Sequence, residues 1–254
     1  EIITNLGTYQ CKKVFNSALN YDKMVSQKKF PVLQQHFLGW FLKTEKNTFD
    51  DRTATFMDFS IPQKGNTRFM YVLPFSKTEA LVEFTLFSEN LLPEPEYEDS
   101  LRDYLKNHLK CVNYFVSEVE KGSIPMTCYD FASANNENLF HICTDGGWTK
   151  TSTGFTFMNT YKKTQSLVRL LKNGKSLDCL YKKDRFWFYD LLLLDILHHN
   201  NSKGQPIFES LFKKRSPQLI FKFLDENTTL WEDLMIISAC PKKEFIGAFL
   251  KRIF

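Results

Sequence analysis

Two stretches of this chain hold residues whose types and spacing can do chemistry. The first is Ala80-Leu81-Val82-Glu83-Phe84-Thr85, inside an apolar run from Glu79 to Ser88 that reads as a strand. Side chains alternate across a strand, so Leu81, Glu83, Thr85 and Phe87 share one face. A carboxylate among such neighbours has two readings. It is an edge-strand charge facing water at a rim, or it sits in a greasy cavity where burial raises its pKa and makes it a proton donor. The second stretch is Gly146-Gly147-Trp148-Thr149-Lys150-Thr151-Ser152-Thr153-Gly154-Phe155. Glycines let a backbone approach a ligand closely, and the amides and positive dipole end of a following helix favour an anion or an electron-rich ring. The plainer reading is a capped helix after a loop, with Ser152 or Thr153 as the cap.

The elements that must position these residues follow from periodicity and punctuation. Leu139–Thr144 reads as a short strand before the glycine turn. Leu167, Leu170 and Leu171 give helical spacing over Phe157–Leu171 after it. Upstream, Gln34–Glu45, Thr55–Ile61, Arg68–Phe75 and Glu79–Ser88 read as an antiparallel sheet of roughly four strands, broken by turn-rich Asn47–Arg52 and Pro62–Thr67. Pro93–Glu98 reads as an acidic linker, and Asp99 or Ser100 starts a helix to about Lys110. Asn113–Lys121 is a strand and Gly122–Thr127 a turn. The chain then becomes helical: Asp184–His199, Gln205–Phe212, Pro217–Leu224, Leu230–Ser238 and Lys242–Ile253, with Asp225 or Thr228–Thr229 as a cap. At the other end, Glu1–Thr4 and Thr8–Phe15 read as strands around a Leu6-Gly7 turn.

Composition narrows the classes. With 254 residues, 43% hydrophobic and 24% charged, the chain has a globular composition with enough length for a sizeable core. A net charge of +4 without a long Lys/Arg block gives no nucleic-acid footprint. The six cysteines are scattered without a C-x-x-C pair, and the adjacent His198 and His199 do not share a helix face. The expectation is therefore reduced thiols in a reducing, cytoplasmic compartment, with no metal site. The 25 Phe fit either an apolar pocket or lipid-facing surface, or a compositional bias. The clusters Phe186–Tyr189 and Phe245–Phe254 leave the same alternatives open between core packing, an apolar tunnel and a lipid surface.

The run His141–Phe157 resembles the second flavin-contacting motif of the lycopene cyclase family, Gly-Gly-x-Thr-Lys-x-Ser-Thr-Gly-Tyr, with Phe155 in the place of the Tyr. Gln35-His36-Phe37-Leu38-Gly39-Trp40, Ala54–Phe59, Arg68–Ser76 and Phe221–Thr228 resemble the same family in order. Its Phe-Leu-Glu-Glu-Thr strand falls on Glu83, with Phe84 at the second acidic position. The resemblance implies an α/β fold: an FAD/NAD(P)-binding, hydroxylase- or reductase-like fold lacking its N-terminal part, since no G-x-G-x-x-G occurs. The expected regions are 1–33, the remnant of an FAD-binding domain; 34–121, an antiparallel substrate-binding region; 122–175, the FAD-binding strand, turn and helix; and 176–254, a helical region. It also implies acid-catalysed cyclisation of a carotenoid such as lycopene with reduced FAD, and NAD(P)H as reductant. Glu83 is the expected acid and Asp58 a candidate second carboxylate, for which a satisfied buried Asp or a strand-end charge is the plainer reading from sequence. Gly146, Gly147, Thr149, Ser152, Thr153 and Gly154 are the expected cofactor contacts. Peripheral membrane contact is expected, since the substrate is a lipid-soluble hydrocarbon. The alternatives are a flavin monooxygenase, a polyprenyl reductase, or an inactive fragment that binds an apolar ligand.

Overall fold

Strand Glu79–Ser88 lies in the middle of the sheet that carries the first of these sites. The computed structural model describes residues 1–181 and 183–253; Phe254, the last residue of the C-terminal aromatic cluster, lies outside the described residues. The chain divides into two compact units, Leu33–Ile124 with Leu192–Phe254, and Glu1–Val32 with Pro125–Leu191.

The first of these is built on a five-stranded sheet of order β5-β6-β7-β4-β8. Its strands are β4 (Val32–Thr44), β5 (Thr55–Asp58), β6 (Thr67–Pro74), β7 (Glu79–Ser88) and β8 (Tyr114–Thr127). β5, β6, β7 and β4 pair antiparallel in sequence, with Gly39 and Tyr71 directly opposite Glu83 on either side. The period of two makes both faces apolar. One face, with Leu38, Trp40, Leu42, Met70, Val72, Val82, Phe84 and Leu86, packs against helix α2 (Glu94–Asn107). α2 buries Tyr97, Leu101, Tyr104 and Leu105 at helical spacing.

α2 starts earlier than the acidic linker reading implies. Pro95 occupies the first turn, where its missing N–H costs nothing, and Glu94 and Glu96 complement the helix dipole. Its first turns are tied to the sheet by buried His36. The Tyr97 hydroxyl donates to His36 Nδ1 at 2.6 Å, and His36 Nε2 meets Ser88 Oγ at 2.7 Å while that hydroxyl donates to Asn90 O. Burial pushes the imidazole down to about 4, so it is neutral with its proton on Nε2. Strand β8 also runs on through Gly122–Thr127, where turn residues suggested a break. An edge strand tolerates Pro125, and Gly122 leaves room for the Phe37 ring, 2.6 Å from where a Cβ would stand.

The other face of the sheet, the Glu83 face, carries helices. α5 (Gly204–Lys214) approaches so closely that a Cβ on Gly204 would lie 1.9 Å from Thr67 Oγ1. Phe208 stacks on Phe59 at 5.9 Å and meets Phe87 edge-on. α6 (Pro217–Leu224) and α7 (Leu230–Ala239) bury Ile220, Ile236 and Ala239 against Leu211. Ser216 caps α6, and Thr229 caps α7 in a box with Glu232. α8 (Lys242–Ile253) is tied to α4 (Arg185–His199) by both Arg252 N–H groups on the Asp195 carboxylate.

In the second unit β1 (Ile2–Thr4) and β2 (Gly7–Tyr9) form a hairpin whose turn is Asn5-Leu6 rather than Leu6-Gly7, Gly7 pairing with Thr4. The single strand expected over Thr8–Phe15 is interrupted after Tyr9. β3 (Val14–Asn16) pairs parallel with β9 (Leu139–His141). α1 (Tyr21–Ser26) and α3 (Phe157–Lys172) complete it, with Phe140, Trp148, Leu167, Leu177 and Leu180 as its core. The fold class is α/β, an antiparallel sheet with helices, as the residue patterns imply.

Candidate functional site

Glu83 is half-buried, flanked on β7 by buried Thr85 and facing aromatic neighbours across the strands. Tyr71 is its register partner on β6, Phe69 lies one row along, and Phe56 lies 5.4 Å from the Tyr71 ring. The Thr85 hydroxyl donates to Glu83 Oε1 at 2.5 Å. Burial pushes the Glu83 carboxyl up to about 7; the Thr85 hydrogen bond opposes the rise, and the charge and hydrogen bond of Glu120 add to it. The Tyr71 phenol is pushed well above its ordinary range, first by burial and then by the Glu83 charge, so it stays neutral.

Glu120 comes from β8, across β4 from Glu83, and β4 has Gly39 at the crossing. A Cβ on Gly39 would stand 3.0 Å from both Glu120 Cγ and Oε1, and 2.9 Å from Leu81 Cδ1. The absent side chain is the space in which the two carboxyls meet. Sequence reasoning passed over both residues. A glycine inside an otherwise apolar strand does signal close approach of another group, and Gly39 carried that signal.

Asp58 is not brought to this pair. It pairs with Met70, whose side chain belongs to the face packed on α2, opposite the Glu83 face. The Tyr104 hydroxyl donates to Asp58 Oδ2 at 2.7 Å and the Ser60 N–H to Oδ1 at 2.9 Å. Burial raises the Asp58 carboxyl, but the Ser60 and Tyr104 hydrogen bonds and the His108 charge outweigh it and hold it below the usual range. It is a satisfied anion at the end of β5, the structural alternative that its sequence position left open.

The glycine stretch folds into a loop closed by its own amides. Trp148 N–H donates to Cys143 O, Lys150 N–H to Phe155 O, and Gly154 N–H to Lys150 O. A Cβ on Gly146 would stand 2.4 Å from His141 O, and one on Gly147, whose φ is +63°, 2.8 Å from the Phe131 ring. These two glycines therefore serve close packing within the loop. Thr149 is buried and its hydroxyl is hydrogen-bonded to those of Thr144 and Thr156; Ser152 is buried too. The helix begins at Phe157, later than a Ser152 or Thr153 cap implies, and Thr156 at its N-cap makes no side-chain cap bond. Thr153 and the first turn of α3 form the outer end of the motif, where Phe157 is 82% exposed, while Gly154 (φ +73°) is buried. Behind the loop, Lys150 Nζ donates to Asp190 Oδ2 at 3.0 Å, both side chains being buried.

The family model described as lycopene cyclase protein matches residues 7–248. The chain belongs to the lycopene cyclase family. Lycopene cyclase membership supports a carotenoid-related flavoprotein function. No curated protein matches the chain. Among solved structures, it is similar to a geranylgeranyl bacteriochlorophyll reductase-like protein from Thermoplasma acidophilum, at 12% identity and a TM-score of 0.46. That match covers 94% of this lycopene cyclase chain and 58% of the other, so the chain spans little more than half the length of that protein.

Proposed function

We propose that this chain carries the acid of a lycopene β-cyclase-like isomerase, which closes the acyclic ends of a carotenoid into β-ionone rings. The observation that carries the reading is Glu83. It is a carboxyl on an aromatic-lined strand face, pushed up to about 7 and held by the Thr85 hydroxyl. A general acid works best when its pKa lies near the working pH, and this carboxyl retains its proton there. Glu83 gives that proton to the terminal double bond of the substrate. The faces of Tyr71, Phe69 and Phe56 favour the resulting carbocation, as rings favour any desolvated cation. Their bulk keeps water from quenching it.

Reduced FAD, kept so by NAD(P)H, would supply negative charge when bound. The residues that fit it are Thr153 and the first turn of α3, a helix start with no side-chain cap and the positive end of a 16-residue helix, with buried Gly154 making the turn before them. Gly146, Gly147, Thr149 and Ser152 shape the loop behind that surface.

The test is to supply lycopene in vesicles with FAD and NAD(P)H in deuterium oxide, then separate the carotenoids. Cyclised product carrying solvent deuterium, with NAD(P)H consumption far below the rings formed, supports the reading. Hydroxylated or saturated product with one NAD(P)H consumed per turnover replaces it with the monooxygenase or reductase alternative.

A cyclase must also reach a hydrocarbon dissolved in lipid, and we propose a peripheral, cytoplasmic-face membrane contact. No helix of the described residues is long and apolar enough to cross a bilayer. α7 instead exposes Leu230, Trp231, Leu234 and Met235 on one side, and α8 exposes Ile246, Phe249, Leu250 and Ile253, with exposed Lys242, Lys243 and Lys251 nearby in sequence. That combination suits an anionic lipid surface. Trp231 fluorescence is expected to shift to the blue on adding vesicles containing phosphatidylserine. Trp231→Ser with Leu234→Ser should lower co-sedimentation several-fold. Equal binding by the double variant would remove α7 from the contact.

A further inference from the structure

We infer that Glu120 is the partner of Glu83, the two carboxyls meeting across Gly39 so that the Glu83 O–H donates to the Glu120 carboxylate. The chain replaces the second acidic residue of the family's strand motif by Phe84, whose side chain is buried on the opposite face with α2. The carboxyl beside Glu83 comes instead from a different strand, β8. Three features of the geometry agree. Gly39 stands directly opposite Glu83 in register, and the space its side chain would fill holds Glu120 Cγ and Oε1. The Thr85 hydroxyl occupies Glu83 Oε1 as a donor. Among the described residues of the strands around it no cation shares the pair's face: by alternation β4 offers Phe37, Gly39 and Phe41, β6 offers Phe69, Tyr71 and Leu73, and β7 offers Leu81 and Thr85. On β8 the same-side neighbours are exposed Glu118 and Gly122. Two carboxyls in contact without a cation favour holding a proton between them.

The purpose of the pair rests on the cyclase reading. The proton leaves Glu83 for a terminal alkene carbon, and the alkene π electrons form the new C–H bond. While the carbocation exists, two carboxylates face it in place of one. After ring closure a C–H bond breaks, its electrons form the ring double bond, and the proton returns to the pair. The pair ends each cycle with the one proton it began with, and nothing is oxidised or reduced. Glu120 acts through Glu83 and is a positioning residue.

The experiment is a carboxyl titration that needs neither substrate nor cofactor. The protein is labelled with glutamate carrying ¹³C at the side-chain carboxyl, and the Glu83 resonance is assigned by its loss in Glu83→Gln. Its midpoint is followed in Glu120→Gln, which keeps the shape and removes the charge. The expected result is a fall of the Glu83 midpoint by about one pH unit, a tenfold loss of proton affinity. Gly39→Ala, whose methyl displaces the Glu120 carboxyl without removing it, is the second variant and should move the midpoint the same way. A Glu83 midpoint unmoved in whichever of the two variants folds overturns the pairing. The cyclase reading is tested separately: a chain that shows the shift yet makes no rings keeps the pair and loses the function.

Discussion

Glu83→Gln is expected to abolish ring closure and, at pH 8, to make the fold more stable than the wild type. The first effect follows from removing the only transferable proton assigned to the reaction; positioned general acids contribute about 10²–10⁴-fold, and the amide cannot replace one. The second follows from linkage. The carboxyl has an ordinary value of 4.5 and is pushed up to about 7 in the fold, mainly by burial. A group raised on folding contributes stability that is full below its unfolded value and lost as pH rises through its folded value. Between about pH 4.5 and 7 the wild type therefore gives up stability, on the order of 3 kcal/mol above pH 7, because it must ionise in an apolar place. Glutamine has the same shape and no such penalty. Urea denaturation at pH 5 and at pH 8 checks it: the two proteins should differ little at pH 5, and the variant should gain at pH 8. A difference independent of pH would show that Glu83 ionises freely in the fold and cannot serve as the acid.

That a stabilising substitution should destroy activity also explains which parts of the site could be read from the chain. Glu83 announces itself, because a carboxylate in the strand Glu79–Ser88 breaks an apolar alternation, and local pattern suffices to notice it. Helices Pro217–Leu224 and Lys242–Ile253 have the bounds their punctuation implies for the same reason. Glu120 looks like any charge on an alternating edge strand. Only the laying of β8 against β4 at Gly39 brings it to Glu83, and that is tertiary information. The start of α2 and the end of β8 differ from the expectation for one cause. Pro95 and Pro125 with Gly122 were weighed as breakers, but proline is at home in a helix's first turn and on an edge strand. In the glycine loop the sequence marks where the backbone comes close to something. For Gly146 and Gly147 the something proves to be His141, Ile142 and Phe131 of the same chain, so these two glycines pack the loop and the exposed end of the motif lies elsewhere, at Thr153 and the start of α3.

The loop depends on a second buried charge, and Asp190→Ala is expected to destabilise its unit by about 3–5 kcal/mol. Lys150 lies in the middle of the loop; its N–H donates to Phe155 O and its carbonyl accepts from Gly154 N, so the residue spans the turn that leads into α3. Its ammonium is held by Asp190 at 3.0 Å, with 3% and 5% of the two residues exposed. Removing the carboxylate takes an ion-pair partner from an ammonium in a place with little water, and swinging out to reach water breaks the loop. Removing both charges is a different matter. Buried ion pairs owe much of their apparent strength to the penalty of orphaning one member, so Lys150→Met with Asp190→Leu should recover most of what Asp190→Ala loses. A thermal or denaturant series over the single and double variants measures the coupling directly. If Asp190→Ala costs less than about 1 kcal/mol, the pair is not what holds the loop, and the positioning of Thr153, Gly154 and the start of α3 must come from the packing of Trp148 and Leu167 instead.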